Sequence, residues 1–546
     1  MKAAELFVKC LENEGTEYIF GLPGEENLDI LEALRNSRIK FVLTRHEQGA
    51  AFMADVYGRL TGKAGVCLST LGPGATNLFT GVADANMDRA PLIAITGQAD
   101  LRRAHKESHQ YIDIVNAFRP ITKWNARVHH ADVIPEVIRK AFRIAQIEKK
   151  GAAHIEISEA IACLDLEKDL KPLKVASNPS FRPTKDAFEA AATLIKNSKN
   201  PIILAGNGVI RAEACRELAD FAEKNRIYAA NTFMAKGAIS AKHELFVSTI
   251  GLQAKDYIMC GFEKADLVIT VGYDIAEYSP AFWNPEGDKK LIHIDSVRAE
   301  VDAHYDPDVE LVGEMKTILY KLTRLTGFNK SFEYMNSLKK LTKGEFEEFR
   351  NSSHFPMKPQ KILYDVRQAL GDKDIILSDV GMHKLWIARL YPAYSPNTVI
   401  ISNGFATMGI ALPGCVAAKL VHPDRKIVAI TGDGGFLMNS QEIETAKRLG
   451  LAFVVIIFSD SKYGMIEWKQ VKEFGSEFGM SFTNPDFVMY AESFGCIGIR
   501  INSAGEFMPA LKKALETDNI VIMDVPVDYS ENARLTEKLG KLVCPI

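Results

Sequence analysis

Two polar sites stand just past apolar runs, and their residue types are those that hold an ion. Asp433 lies in TGDGGF, directly after KIVAI; Ser459-Asp460-Ser461 and then Tyr463-Gly464 follow VVIIF, with Ser459 twenty-six residues beyond Asp433. Gly432, Gly434 and Gly435 let a ligand approach the backbone closely, and a helix starting there offers free N–H groups to phosphate. An aspartate beside a phosphate would repel it, so the arrangement implies a divalent cation between them. Mg²⁺ suits that place, because it takes oxygen ligands and is often held by one or two carboxylates, phosphates and water. A glycine-rich strand-to-helix turn explains TGDGGF equally well when it is read alone. The second polar strand end favours the ion.

Other candidates sit at similar switches. Glu47, in LTRHEQGAAFMADVYGRLTG (43–62), opens a helix after a strand that ends at Thr44. It reads either as a first-turn carboxylate that complements the helix dipole or as a carboxylate aimed at a heterocycle nitrogen. GLPGEENL (21–28), with Leu22-Pro23 and Glu25, and TLGPGATNL (70–78), with Pro73 and Asn77, are Gly/Pro turns; turn chemistry accounts for each alone. ESHQYIDI puts His109 and Gln110 in a loop after an apolar strand, and SDVGMHKLW puts His383 at another strand-to-helix switch.

The elements that must position these residues alternate strand and helix. Strands are expected at 17–20, 40–44, 65–70, 91–97 and 152–158; then at 201–209, 265–274 and 290–296; then at 375–381, 399–404, 426–435, 452–458 and 519–526. Short apolar strands separated by helices predict doubly wound parallel sheets, an α/β fold. Residues 165–185 are charged, Pro-bearing and aperiodic, a linker signal. Three α/β domains follow, over 1–165, 185–330 and 358–530. With 546 residues and a net charge of -3, no basic field recruits nucleic acid or an anionic membrane. No uninterrupted apolar stretch reaches the length of a membrane span, and the start does not read as a signal or transit peptide. The eight scattered cysteines show no metal-ligand spacing and read as reduced thiols, so a cytoplasmic enzyme is expected.

Taken in order, RHEQ, GPGATN, SHQ, GxHxxW, SNG…TMG…LP and GDG with its polar strand end resemble the thiamine diphosphate enzymes of the acetolactate synthase and pyruvate decarboxylase superfamily. The resemblance covers all three blocks. It implies a pyrimidine-binding first domain, a central domain, and a third domain that binds diphosphate and Mg²⁺. It also implies a homodimer or homotetramer with active sites between subunits. Glu47 matches the family's activating glutamate, which bonds the pyrimidine N1′ so that the cofactor's imine can remove the C2 proton. Met408 matches the wedge that bends the cofactor, and the Ala406 carbonyl and Met408 N–H would meet the pyrimidine edge. Leu22-Pro23, Pro73, Asn77, His383, Gly432, Asp433, Gly434, Gly435, Tyr463 and Gly464 are the further cofactor contacts expected. The chemistry implied is decarboxylation of pyruvate and addition of the resulting carbanion to a second 2-oxo acid, giving 2-acetolactate.

The branch turns on a few residues. Ser108-His109-Gln110 looks like the synthase form of a loop that carries His-His in pyruvate decarboxylases, which makes His109 and Gln110 catalytic candidates. GLPGEENL instead resembles the decarboxylase loop and puts Glu25 where those enzymes have a catalytic aspartate. A non-oxidative decarboxylase or carboligase is therefore the alternative, ahead of an inactive cofactor-binding homologue. Residues 271–295 resemble the catabolic, flavin-free synthases, and IAEY (275–278) lacks the Asp-Asp-Arg stretch of the flavin-bearing ones, so FAD is not expected. Met465, Trp468 and Lys469 fall where the family contacts substrate. The family's metal-binding Asn falls on Ser459 and its carbonyl ligand on Ser461. Ser459, a water or Asp460 could fill that place. Ser459 ranks first because strand alternation points Asp460 away.

Overall fold

Strands buried on both faces need apolar residues at every position, and parallel pairing needs a crossover between successive strands. Parallel pairing with a crossover between strands recurs three times over, around mostly apolar interior strands, in the computed structural model, which describes residues 1–167, 169–176, 181–252, 256–330, 332–532, 535 and 544. The first sheet comprises β1 (Tyr18–Gly21), β2 (Lys40–Leu43), β3 (Gly65–Ser69), β4 (Leu92–Gln98), β5 (Trp124–Arg127) and β6 (Ala152–Ser158), in the order β2-β1-β3-β4-β6-β5. The second comprises β7 (Pro201–Ala205), β8 (Ala229–Thr232), β9 (Phe246–Ile250), β10 (Leu267–Val271), β11 (Lys290–Asp295) and β12 (Val309–Val312), in the order β12-β11-β10-β7-β8-β9. The third comprises β13 (Ile375–Ser378), β14 (Val399–Ile401), β15 (Ile427–Gly432), β16 (Val454–Ser459), β17 (Ile497–Arg500) and β18 (Val521–Pro526), in the order β14-β13-β15-β16-β18-β17. All pairings are parallel, as doubly wound sheets require.

Register decides which loops share a rim. Gly21 pairs with Leu43 and Leu68, and Ser69 with Thr96, so the loops after β1, β2, β3 and β4 leave one edge together. In the third sheet Gly432 pairs with Phe458, so Asp433 and Ser459 leave adjacent strands at the same level. The ends of parallel strands at such switch points are where open α/β sheets bind ligands.

The chain divides into two compact units. One comprises Met1–Asn178, Gly404–Asp424 and Phe436–Ala452; the other comprises Pro179–Asn403, Arg425–Gly435 and Phe453–Ile546. The third block thus lends two helix-bearing segments to the unit built on the first sheet. The linker reading at 165–185 falls partly on residues 168 and 177–180, outside the described residues; Thr184 then caps the helix Lys185–Asn197. Among the described residues no helix is long and apolar enough to cross a membrane. The expectation of eight reduced thiols is corrected: Cys260 and Cys544 form a disulfide. Spacing could not reveal it, because the two lie 284 residues apart.

Candidate functional site

One candidate site, in the unit built on the first sheet, surrounds Glu47. The helix Glu47–Thr61 begins at His46, whose Nδ1 accepts from Gln48 N at 3.0 Å and satisfies one orphan N–H. Glu47 is therefore the first helical residue, and it is buried. Its Oε2 accepts from Asn77 Nδ2 at 2.9 Å. Asn77 stands on the helix Gly72–Met87, whose first turn carries Pro73. Gly74, in that turn, leaves room for Oε1: a Cβ there would lie 3.2 Å from Glu47 Oε1 and 2.9 Å from Thr70 Cγ2. The Gln110 carbonyl crosses Gly72, where a Cβ would meet it at 2.5 Å, so the SHQ loop seats on the same turn. Arg103 holds that loop, donating to Ser108 Oγ at 2.6 Å and to the His109 carbonyl at 2.8 Å. His109 and Gln110 themselves are exposed. Glu47, Pro73, Asn77 and Gln110 are thus brought to one rim.

Glu442 is a residue that sequence reasoning missed. It is fully buried and accepts from Arg45 N at 3.1 Å, His46 N at 3.0 Å and Thr445 Oγ1 at 2.7 Å. It therefore satisfies the backbone just ahead of Glu47 and fixes where that helix starts. Burial pushes its carboxyl up, and the hydroxyl and backbone donors pull it back. Only a long-range contact could reveal it, since nearly 400 residues separate it from Glu47. The segment around Ala406 and Met408 is clamped in the same unit. Gly404 N donates to Asp88 Oδ1 at 2.5 Å, Thr407 Oγ1 to Asp84 Oδ1 at 2.8 Å, and Asn439 Nδ2 to the Gly409 carbonyl at 3.0 Å. Asp84 and Asp88 also share the buried Arg59 guanidinium with Asp55. Ala406 is left-handed, at φ 57°, a conformation a non-glycine holds only when its surroundings impose it. Ala406 stands exposed and Met408 half-buried.

The two glutamates of GLPGEENL play opposite parts. Glu25 is exposed, whereas Glu26 is buried and accepts from Thr70 Oγ1 at 2.6 Å. Asn27 closes the turn, accepting from Gly24 N at 3.0 Å and donating to the Leu22 carbonyl at 3.2 Å.

A second candidate site, in the other unit, surrounds Asp433, the first residue of the helix Asp433–Asn439 and 1% exposed. Its Oδ1 accepts from Gly434 N at 2.8 Å. Its Oδ2 accepts from Ser461 N at 2.6 Å, Asn484 Nδ2 at 2.8 Å and Asp460 N at 3.1 Å. Asp460 does not turn away. Its carboxyl is pushed up to about 7, by burial first and then by the charge of Asp433, against a backbone N–H from Lys462. The alternation argument fails because β16 ends at Ser459; beyond the strand, side chains no longer alternate. The Ser459 carbonyl accepts from Val527 N at 3.1 Å, and the Ser461 carbonyl from Phe482 N at 3.0 Å. Asn484 was not foreseen. It also reaches Ser461 Oγ at 3.1 Å, and its Oδ1 is buried with no partner.

These residues fit a cation and a diphosphate. Two close carboxylates, the buried Asp433 and Asp460, beside an orphan amide oxygen, form an oxygen donor set suited to a divalent cation. The glycines form a cradle with no room to spare. A Cβ would lie 2.9 Å from Tyr463 Cε1 at Gly434, 3.1 Å from Asp379 Oδ2 at Gly435, 3.4 Å from His383 Cε1 at Gly432 and 3.0 Å from Asp460 Oδ2 at Gly464. His383 is buried on the helix Met382–Leu390, and burial holds its imidazole down, at about 3. Its ring donates to the Asp379 backbone, and Nε2 is buried without a partner. Met465 and Trp468 are half-buried and Lys469 exposed on the helix Gly464–Phe474.

The second sheet has its own switch point, between β7 and β10, and it is closed. Gly206 N donates to the Val271 carbonyl at 2.9 Å and Gly208 N to the Gly272 carbonyl at 2.8 Å. Asn207 N turns to the Glu277 carboxyl at 2.9 Å, which also accepts from Thr232 Oγ1. Burial pushes Glu277 up to about 8.

Comparison with known proteins agrees with this geometry. The chain matches the N-terminal TPP binding domain of thiamine pyrophosphate enzymes over residues 1–117, their central domain over 188–322 and their C-terminal TPP binding domain over 379–525. It is 36% identical to an acetolactate synthase of Bacillus subtilis, over 99% of this chain and 96% of the relative. It is 34% identical to a probable acetolactate synthase large subunit of Methanococcus aeolicus, over 99% and 94%. It is 35% identical to a catabolic acetolactate synthase of Raoultella terrigena, over 98% and 97%. The chain therefore belongs to the thiamine pyrophosphate enzymes, within their acetolactate synthase family.

Proposed function

We propose that this enzyme condenses two 2-oxo acids, taking pyruvate as donor and releasing carbon dioxide and 2-acetolactate. The observation that carries the reading is the buried Glu47–Asn77 pair opposite Gly74, retained in a chain that matches acetolactate synthases almost end to end. Thiamine pyrophosphate, when bound, supplies the nucleophilic carbon and the electron sink for decarboxylation. Glu47 would hold the pyrimidine ring nitrogen through Oε1 while Asn77 fixes Oε2. Ala406 and Met408 would flank the same ring. The Gly432–Gly435 turn, Tyr463, Gly464 and His383 would bind the diphosphate. Asp433 and Asp460 would hold Mg²⁺, with Asn484 Oδ1 as the amide ligand, in preference to the Ser459 hydroxyl and Ser461 carbonyl. Gln110, on the rim beside Pro73, would orient the substrate, with His109 and Glu25 at the mouth; Met465, Trp468 and Lys469 would meet the acceptor.

The closed switch point of the second sheet supports an enzyme that works without FAD, because Glu277 already takes the Asn207 N–H that a phosphate would need. A homodimer or homotetramer is supported by exposed apolar side chains, with Phe478 87%, Phe474 71% and Met489 68% exposed. The test is mass-resolved product analysis with pyruvate, 2-oxobutyrate and bulkier 2-oxo acids, with and without FAD. Acetolactate should form from pyruvate at the same rate in both. Acetaldehyde without acetolactate would overturn the synthase in favour of the decarboxylase that Glu25 suggests.

A further inference from the structure

A cavity of about 480 Å³ lies along the edge strand β9, and none of the residues proposed to bind cofactor or metal lines it. Its walls include the rings of Phe346, Tyr364 and Tyr394. Lys236 also lines it and is 3% exposed. The Lys236 ammonium donates to the Ala388 carbonyl at 2.9 Å and to Thr249 Oγ1 at 3.2 Å. Among the described residues no carboxylate pairs with it, and burial alone pulls it down, to about 7. Other cations of the wall are already engaged. Arg389 pairs with Asp256 and Glu345, and Lys242 with Asp372.

Burying an ammonium without a counter-ion is costly, and so is burying an amide oxygen without a donor. Both occur here side by side. Asn231 lines the same cavity, is 1% exposed, and has a buried Oδ1 with no partner. It pairs across β8 and β9 with Thr249, the residue that accepts from Lys236. A donor-starved oxygen and an acid-starved ammonium therefore share one wall. A volume of this size is in the range of small-molecule sites.

We propose that this cavity is a second small-molecule site, which takes an organic oxyanion carrying its own hydrogen-bond donor. The carboxylate or phosphate group sits on Lys236 Nζ, the donor on Asn231 Oδ1, and the carbon body against the aromatic wall. The alternative role for Lys236 is a structural one, capping the last turn of the helix Met382–Leu390 through Ala388.

Titration calorimetry on the full-length protein separates the two. Glycolate and glycerol phosphate carry an oxyanion and a hydroxyl; acetate and methyl phosphate lack the hydroxyl. Saturable binding of glycolate or glycerol phosphate is expected, about tenfold tighter than its hydroxyl-free counterpart and about tenfold weaker in Lys236→Met. Whichever hydroxyl-bearing probe binds identifies the head group. If Lys236→Met does not fold, Asn231→Leu gives the reading by abolishing the preference for glycolate over acetate, or for glycerol phosphate over methyl phosphate. No saturable binding of either hydroxyl-bearing probe, or undiminished binding in the variants, overturns the site and leaves Lys236 as a helix cap.

Discussion

Glu47 and Asp433 occupy the same kind of position and are held in different ways. Each is the first residue of a helix that follows a parallel strand, and each is buried. Asp433 receives four hydrogen-bond donors across its two oxygens, three of them on Oδ2. Glu47 receives one side-chain donor on Oε2, while Oε1 faces the space that Gly74 leaves. The donors around Asp433 leave little of its carboxylate open. Glu47 keeps one oxygen for a ligand. One backbone device thus presents two carboxylates that differ in how many donors they meet.

The largest effect should follow from removing the open oxygen. Glu47→Gln is expected to lower acetolactate turnover by roughly 10²–10⁴-fold, while cofactor affinity, followed by tryptophan quenching, changes only a few-fold. Turnover near that of the parent protein would erase the distinction between the two carboxylates. A smaller effect tests the surroundings of Asp433. Asp460→Ala should raise the Mg²⁺ concentration needed for half-maximal cofactor binding by about tenfold or more, whereas Ser459→Ala should leave that titration unchanged. The reverse pattern would restore the serine as the metal ligand.

The smallest effect concerns Glu277, a buried carboxyl that serves neither candidate site. Its folded pKa, about 8, stands above the ordinary carboxylate value of 4.5. Between those values the unfolded chain has lost the proton that the fold retains. Its contribution is therefore greatest below pH 4.5 and declines as pH rises towards 8, by roughly 1 kcal/mol per pH unit. Glu277→Gln should flatten that decline, read as thermal midpoints from pH 5 to 8. Parallel curves for the two proteins would mean that Glu277 is ionised in the fold.

The parts of this molecule legible in its sequence were those where local pattern and tertiary environment agree. β3 and β4 are buried at every residue and read as mostly apolar runs. Strands β5, β9, β12 and β17 escaped because they lie at sheet edges, where WNAR, VELV and IGIR mix polar and apolar residues. β8 is interior, but AANT has no bulky side chain to mark it. Glu47, Asn77 and Asp433 stand at strand-to-helix switches that the sequence marks, the roles of Glu47 and Asn77 being implied only by the family resemblance. Glu442 and Asn484 were not legible, since each acts only through a partner that the fold brings to it. The orientation of Asp460 was misjudged because a rule for strands was carried one residue past a strand's end.

The sharing of the third block between two units bears on how the protein is made. The unit built on the first sheet takes in Gly404–Asp424 and Phe436–Ala452. Until those segments leave the ribosome, the backbone N–H groups ahead of Glu47 lack Glu442, and Asp84 and Asp88 lack their partners in the 404–407 turn. At ordinary rates of synthesis that delay lasts roughly ten to fifty seconds. Over that interval the start of the Glu47 helix lacks the carboxylate that fixes it. An early stop anywhere before residue 404 would yield a chain that holds Glu47 without the contacts that set where its helix starts.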